Sequence, residues 1–187
     1  MSPLPLYSLA AIEALVAEHR LPGLLLAVSR GVAEPASHAI GCDAAGCTLT
    51  MDSLFPVASV TKLATALAVL RLAAGGHLEL DDPLAAHLPA AAAAVAGVTL
   101  RTLLCHTSGL PNDLAPELAP YAHGLDWAQL GRACLATPLV RPPHSRVTYS
   151  NVNFGLLALV VEQCTRLPFA TALTGLVLDP LQIEGYF

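Results

Sequence analysis

The spacing of apolar positions divides the chain into several helices and one short strand pair. Two apolar runs, Leu24–Ser29 and His38–Gly41, have the length of strands and predict a hairpin with a turn at Gly31. Elsewhere apolar residues recur over longer segments that lack helix breakers, which is typical of helices. The predicted helices are Leu6–His19, Ser59–Ala74, a short helix after the turn Leu78–Pro83, Leu100–Cys105, Asp126–Thr137, Asn153–Cys164 and Phe169–Val177.

Turn residues lie between these elements. Leu21-Pro22-Gly23 ends the first helix, Gly75-Gly76 ends the second, and Thr99 is placed to cap the helix at Leu100. The sequence contains no internal repeat and no linker of the kind that separates domains. We therefore expect a single α+β domain over residues 1–187.

Composition and charge exclude several classes of function. The 187 residues are 55% hydrophobic and 12% charged, which suits one globular domain with a sizeable core. The net charge of −5, without a basic cluster, argues against a nucleic-acid partner. The N-terminus has no positive region and no apolar stretch reaches about 18 residues, so we expect a cytoplasmic protein with no membrane partner.

The five cysteines show no pairing pattern. Their number is odd and no Cys-x-x-Cys pair occurs. His38 lies near Cys42 and Cys47, but zinc sites usually cluster their ligands more tightly. We expect reduced, mostly buried thiols and no metal ion.

The segment Phe55–Ala64 sets a Ser-x-x-Lys pair in an apolar run. Residues three apart share one face of a helix, so the Ser59 hydroxyl and the Lys62 amine can touch. Pro56 precedes the predicted helix and puts Ser59 near its first turn, where free N–H groups favour negative charge. This is the arrangement of a nucleophile beside a base.

Lys62 is the only lysine in a chain that has eight arginines. Arginine cannot lose its proton in a protein, whereas a desolvated lysine can act as a neutral base. The alternative reading is structural, with Ser59 as a helix cap and Lys62 extending its amine into solvent.

A second polar group, Tyr149-Ser150-Asn151, lies where an extended segment enters a helix. The Tyr149 hydroxyl can relay a proton if a nearby ammonium stabilises its phenolate, and the Asn151 amide can donate to a substrate carbonyl. The alternative is that Ser150 or Asn151 only caps the helix while Tyr149 packs beneath it.

Together these motifs resemble those of the class C β-lactamase-like serine hydrolases, a group that includes penicillin-binding proteins, D-aminopeptidases and esterases. The matching motifs are Ser59–Lys62 and Tyr149–Asn151, supported by Leu78–Pro83, Leu103–Pro111 and Asp179–Leu181. Their order and spacing fit over nearly all of the chain. The resemblance implies a β-lactamase/transpeptidase-like fold, of which this chain carries mostly the helical part and the first strands of the antiparallel sheet.

The resemblance also implies a role for each motif residue. Ser59 is the expected nucleophile, Lys62 and Tyr149 the proton-transfer pair, and Asn151 the group that orients the substrate. No metal or cofactor is expected to take part. Asp82 matches a position that looks structural in the family.

His106, like Asp82, matches a position that looks structural in the family. Three other features of the chain depart from the family pattern. Cys105 replaces a polar residue, and Pro143-His144 replaces Pro-Gly, so we expect a reshaped loop because His enters positive φ less readily than Gly. No Lys/His-Thr/Ser-Gly motif follows Tyr149, so the C-terminal strands, one of which carries it, are expected to be absent from this chain. One of these strands supplies an oxyanion-hole donor, whose loss typically costs about 10²–10³ in rate.

The expected reaction is acyl transfer. Ser59 attacks an ester or amide carbonyl and the acyl-enzyme is released to water. A lysine acts as a base only where its surroundings disfavour its charge, and we expect the apolar flanks Phe55–Ala58 and Leu63–Leu70 to bury Lys62. The lack of an export signal favours an intracellular esterase or small-amide hydrolase, and the lack of Gly-x-Ser-x-Gly argues against an α/β-hydrolase.

The strand pair leads to a last expectation. A two-stranded hairpin is marginal in water, and in the family later strands pair beside it. We expect a strand edge and the apolar faces of Leu6–His19 and Ser59–Ala74 to lack cover. The chain is then a truncated or split domain that a second chain or a homodimer completes, and the alternative function is a non-catalytic fragment or subunit.

Overall fold

The computed structural model describes residues 8–29, 31–32, 35–116 and 126–185. The chain divides into two compact units, Met1–Pro56 and Val57–Phe187, which we take one at a time. The predicted loop that runs to Leu125 lies partly outside the described residues.

The first unit contains one helix and one hairpin. Helix α1 spans Leu9–Glu18 and begins later than predicted because Ser8 is its N-cap, with Oγ accepting from the Ala11 N–H at 3.1 Å. Strands β1 (Gly23–Val28) and β2 (Ala36–Gly41) pair antiparallel, which confirms the predicted hairpin. In the part of the chain that the structure describes, these two strands form a two-stranded sheet.

The second unit is helical. A 3₁₀ helix at Ala58–Val60 leads directly into α2 (Thr61–Ala74), so Ser59 lies at the start of a long helix as predicted. The elements that follow are α3 (Leu84–His87), α4 (Leu100–Leu104), α5 (Trp127–Ala136), α6 (Asn151–Thr165), α7 (Phe169–Leu173), a π-helical turn (Thr174–Leu178) and α8 (Asp179–Leu181).

Helix α6 is the centre of this unit. It packs against α2, α4, α5 and α7, and its Leu156, Leu157, Val160 and Val161 are completely buried. A helix that is apolar nearly all round belongs in a core, where each buried side chain of this size contributes about 1.5–3 kcal/mol. The N-terminal end of α6 is consequently held in a fixed position.

Side-chain caps account for several helix starts. Thr99 and Asp126 each form a capping box, at α4 and α5, which confirms the cap predicted at Thr99. Helix α6 begins two residues before the predicted start because Ser150 caps it and accepts from the Asn153 N–H at 3.2 Å.

The helix predicted at Phe169–Val177 is interrupted. Its second half is the π-helical turn, where the Thr174 hydroxyl donates to the Ala170 carbonyl at 3.0 Å. Such back-bonding competes with the regular backbone ladder, and Gly175 beside it is a weak helix former. The apolar spacing of the sequence does not reveal this change of pitch.

The thiols are less buried than predicted. All five cysteines are free, and only Cys134 is buried, while Cys47 and Cys105 are exposed. The expectation of mostly buried thiols is therefore wrong. Among the described residues no group of three or more His, Cys, Asp or Glu side chains is arranged to hold a metal ion.

No single helix in the described ranges is long and apolar enough to cross a membrane. The segments Asn151–Thr165 and Phe169–Leu181 pass the length and composition test only as a pair bent by 80°.

The close approach of α5 and α6 yields a stability prediction. A Cβ added at Gly155 would collide with the Cys134 sulfur. We expect Gly155→Ala to lower the free energy of unfolding by about 1–3 kcal/mol, and Cys134→Ala to recover much of that loss in the double variant. Urea denaturation followed by circular dichroism measures both changes.

Gly175→Ala is the matched control, because a Cβ there meets open space. Simple additivity of the Gly155 and Cys134 substitutions would contradict the steric account.

Candidate active site

Two segments of the second unit lie side by side and carry most of the site. Residues 106–112 pair with residues 144–151 through backbone hydrogen bonds. Three N–H groups reach three carbonyls: His144 to Thr107 at 2.8 Å, Thr148 to His106 at 2.8 Å, and Asn151 to Asn112 at 2.7 Å. The backbone is thus fixed on both sides of Tyr149, which sets the direction of its side chain.

Side-chain hydrogen bonds also join these two segments. The Ser108 hydroxyl donates to Asn153 Oδ1 at 2.7 Å, and both residues are buried. The Ser150 hydroxyl donates to the Pro111 carbonyl at 2.6 Å while it caps α6. The predicted cap at Ser150 is present, but Tyr149 does not pack beneath it, since Tyr149 is 44% exposed.

His144 stands where a reshaped loop was expected. Its φ of 64° lies in the left-handed region that favours glycine. Histidine therefore adopts this turn itself, and its N–H bond to Thr107 holds it there.

The structure brings Ser59, Lys62 and Tyr149 together. The Tyr149 hydroxyl donates to Ser59 Oγ at 2.8 Å, and Lys62 Nζ donates to the same oxygen at 3.3 Å. The Ser–Lys contact follows from their three-residue spacing at the start of α2. The Tyr149 contact joins residues 90 positions apart in the chain.

The backbone before Ser59 is strained. Ala58 has a φ of 44°, a left-handed conformation that costs a non-glycine residue about 1–2 kcal/mol. Strain of this kind concentrates at functional sites. The sequence carries no sign of it, because alanine is not a residue that marks positive φ.

Lys62 is covered by aromatic rings rather than by its neighbours in sequence. Its Nζ lies 5.0 Å from the Tyr149 ring centroid and 5.9 Å from that of Phe154. The flanking Val57 and Leu63 are 56% and 63% exposed, so the expected burial of Lys62 by its apolar flanks is wrong. Ring faces attract the ammonium group through their negative electrostatic potential.

The Lys62 charge acts on Tyr149. Hydrogen bonds from Lys62 and then from Ser59 lower the pKa of the Tyr149 phenol below its usual value, against a small opposing effect of burial. Both neighbours stabilise the phenolate. A larger fraction of Tyr149 is thereby ionised, and the phenolate is the form that can accept the proton of the Ser59 hydroxyl.

The His106 ring packs against the Tyr149 ring. Its ring lies 4.7 Å from the Tyr149 ring and 5.2 Å from the Phe154 ring, measured between centroids. Burial, followed by the Lys62 charge, lowers the pKa of His106. The Ser150 N–H donates to Nδ1 at 3.1 Å, so the neutral ring carries its hydrogen on Nε2.

Asp82 also has structural contacts. It accepts from the Glu79 N–H at 2.8 Å and pairs with His87 at 2.9 Å, which closes the turn that enters α3. The Glu79 N–H and then His87 lower the pKa of this carboxyl.

Asn151 lies in the wall of a cleft of about 440 Å³ in the second unit. Its Nδ2 donates to Asp113 Oδ2 at 2.9 Å, which leaves the second amide hydrogen and Oδ1 for other partners. Sequence reasoning missed Asp113. The sequence feature that could have pointed to Asp113 is its position two residues after the Leu103–Pro111 motif. The other lining residues are Ala58, Thr61, Lys62, Thr65, Leu114, Trp127, Leu130, Cys134, Val152, Phe154, Gly155, Ala158 and Phe169.

Comparison with known proteins identifies the class to which this fold belongs. A family model described as Beta-lactamase matches residues 10–186, so the chain belongs to the β-lactamase family. Its structural neighbours are class C β-lactamases and penicillin-binding proteins. The family resemblance and the β-lactamase/transpeptidase-like fold predicted from the sequence are confirmed.

Three relatives illustrate the match. The chain is 32% identical over 177 residues to penicillin-binding protein 4 of Amycolatopsis lactamdurans, which covers 92% of this chain and 46% of that protein. The crystal structure of SurE gives a TM-score of 0.76 with 35% identity, covering 94% of this chain and 38% of that one. A class C β-lactamase from Rhodobacter sphaeroides gives 0.76 with 26% identity, covering 94% and 49%. The chain spans less than half the length of each.

The contact between Lys62 and Tyr149 yields a titration prediction. In Lys62→Met the cation that stabilises the phenolate is gone, so the pKa of Tyr149 should rise towards its ordinary value. The ultraviolet absorbance of tyrosinate, taken as the difference from a Tyr149→Phe background, reports this pKa.

Arg71→Met removes a cation from the last turn of the same helix and is the control. An unchanged Tyr149 titration in Lys62→Met would contradict the assigned electrostatic contact.

Proposed function

We propose that this chain carries the nucleophile and proton-transfer groups of a serine hydrolase that acts on an ester or amide through an acyl-enzyme at Ser59. One observation carries the proposal. Ser59 Oγ receives hydrogen bonds from both Tyr149 and Lys62, the two side chains able to take its proton. A serine that only capped a helix would not need two such neighbours.

The proposed reaction has two halves. In the first, Ser59 Oγ bonds to the carbonyl carbon, and its proton passes to the Tyr149 phenolate, which has given its own proton to a neutral Lys62 and is stabilised by the resulting ammonium. The same proton then goes to the leaving alcohol or amine as the C–O or C–N bond breaks. In the second half a water molecule attacks the acyl-enzyme, and its proton returns to Ser59 through Tyr149 as the acid leaves.

Backbone and side-chain donors would stabilise the oxyanion. Ser59 lies in the 3₁₀ helix that begins the α2 segment, where the first N–H groups have no acceptor within the helix. The free amide hydrogen of Asn151 is proposed to orient the substrate carbonyl beside it. The mostly apolar side chains of the cleft suit a hydrocarbon acyl group, and we propose an esterase or a small-amide hydrolase. The cytoplasmic location stays a prediction.

Covalent labelling tests the nucleophile. We expect a fluorophosphonate serine probe to add one adduct mass to the Ser59 peptide, and none in Ser59→Ala. Intact-mass and peptide mass spectrometry measure the adduct, and Ser37→Ala on exposed β2 is the control. Labelling that persists in Ser59→Ala would overturn the assignment.

Lys62→Arg separates charge from proton transfer in the same assay. Arginine keeps the positive charge but cannot deprotonate, so the labelling rate should fall by about 10²–10⁴ while the fold is kept. Labelling at the parent rate would show that Lys62 is only a structural cation.

We also propose that a further polypeptide surface covers α2, either a second chain or a second copy of this one. Leu63 and Leu70 are 63% and 45% exposed and lie seven residues apart, on one face of the helix. The hairpin of β1 and β2 is too small a sheet to be stable by itself. A partner surface over these apolar side chains would remove them from water.

Size-exclusion chromatography with light scattering tests this cover. We expect the purified chain to show a mass above the 19.3 kDa of one copy, and Leu63→Glu/Leu70→Glu to shift it towards the monomer. Gln163→Glu adds a charge at an exposed polar position of α6 and should change nothing. A well-behaved monomer with robust Ser59-dependent turnover would contradict the proposal.

A further inference from the structure

Asp113 is a carboxylate that the acyl-transfer mechanism does not use. It lines the cleft, and the two charged side chains of the described lining are Asp113 and Lys62. Lys62 is engaged with Ser59 and with two aromatic rings. Most of the remaining lining is apolar, so the negative charge of Asp113 is the main polar feature left for a ligand.

The contacts of Asp113 are with neutral donors. Oδ2 accepts from Asn151 Nδ2 at 2.9 Å, and Oδ1 accepts from the Leu114 N–H at 2.9 Å. No ion pair to Asp113 is found among the described residues. The sequence contains no lysine or arginine between Arg101 and Arg132, so its own loop offers no such cation. Each oxygen keeps a lone pair, because an ionised carboxylate accepts about four hydrogen bonds.

The charge of Asp113 also affects the Cys134 thiol in the wall of the cleft. Burial, and after it the Asp113 charge, raises the pKa of the Cys134 thiol to about 11. Cys134 lines the same cleft.

We propose that Asp113 selects substrates that carry a primary ammonium group on an apolar body. The ammonium would donate to the free lone pairs of the half-buried carboxylate, a charge-assisted bond that a neutral substrate cannot make. The apolar body would lie against Trp127 and Phe169, which line the cleft with stacked rings 5.8 Å apart between centroids. This inference rests on the proposed function, since it assigns the substrate class of the same cleft.

Trp127 provides a direct measurement of binding, because it is the only tryptophan and lies in the cleft wall. Benzylammonium and benzyl alcohol are probes of matched size that differ in charge. Titration of the 187-residue chain, followed by Trp127 fluorescence, should give a Kd about tenfold lower for benzylammonium, as expected for one charge-assisted hydrogen bond.

Variants assign the preference to Asp113. In Asp113→Asn the two probes should bind equally, while the asparagine oxygen still accepts from Asn151. Asp113→Glu keeps the charge and should keep a preference for the cation. Asp126→Asn is the matched control, because it removes the same charge next to Trp127 and asparagine caps α5 as well as aspartate does.

Each outcome decides the proposal. Equal affinities in the unaltered chain, a preference that survives Asp113→Asn, or no fluorescence change with either probe would overturn it. Labelling of Ser59 is measured separately and needs neither probe. Equal binding of the two probes to the unaltered chain, with intact Ser59 labelling, therefore refutes the role of Asp113 alone, whereas failed labelling refutes the hydrolase.

Discussion

A buried hydrogen bond between Ser108 and Asn153 holds the candidate site in place. It joins the 106–112 segment to the first turn of α6, and Ser150 adds a second link to Pro111. Loss of one partner of such a pair leaves a buried polar group unsatisfied, at a cost of about 1–3 kcal/mol. Tyr149 directly precedes Ser150 in the chain, so its position beside Ser59 depends on side chains that are not among its hydrogen-bond partners.

The Lys62 charge affects both the geometry of this site and its proposed chemistry. Lys62 lowers the pKa of Tyr149, which favours the phenolate, and it adds to the larger effect of burial in lowering the pKa of His106, which favours the neutral ring. Only a neutral His106 can accept the Ser150 N–H on Nδ1. The charge that prepares Tyr149 to take a proton therefore also preserves the contact that holds the segment on which Tyr149 lies.

Local signals in the sequence predicted what depends on neighbours along the chain. The hairpin, the Thr99 cap and the Ser59–Lys62 contact all follow from spacings of a few residues. Contacts between residues far apart in the chain were not predicted. Lys62, for example, is covered by the rings of Tyr149 and Phe154 and not by its flanks. The family resemblance supplied the place of Tyr149, which no periodicity could relate to Ser59 across 90 residues.

The sequence motifs do not mark Asp113, the carboxylate in the wall of the cleft. A fold hosts many substrates, so the β-lactamase-like architecture alone does not define what enters. The three residues of the candidate site contact one another. Tyr149 and Lys62 both donate to Ser59 Oγ, and Lys62 and Ser59 lower the pKa of Tyr149. Asp113 instead accepts from the Asn151 amide, and no ion pair to it is found among the described residues. The two proposals therefore assign the chemistry and the substrate selectivity to different side chains.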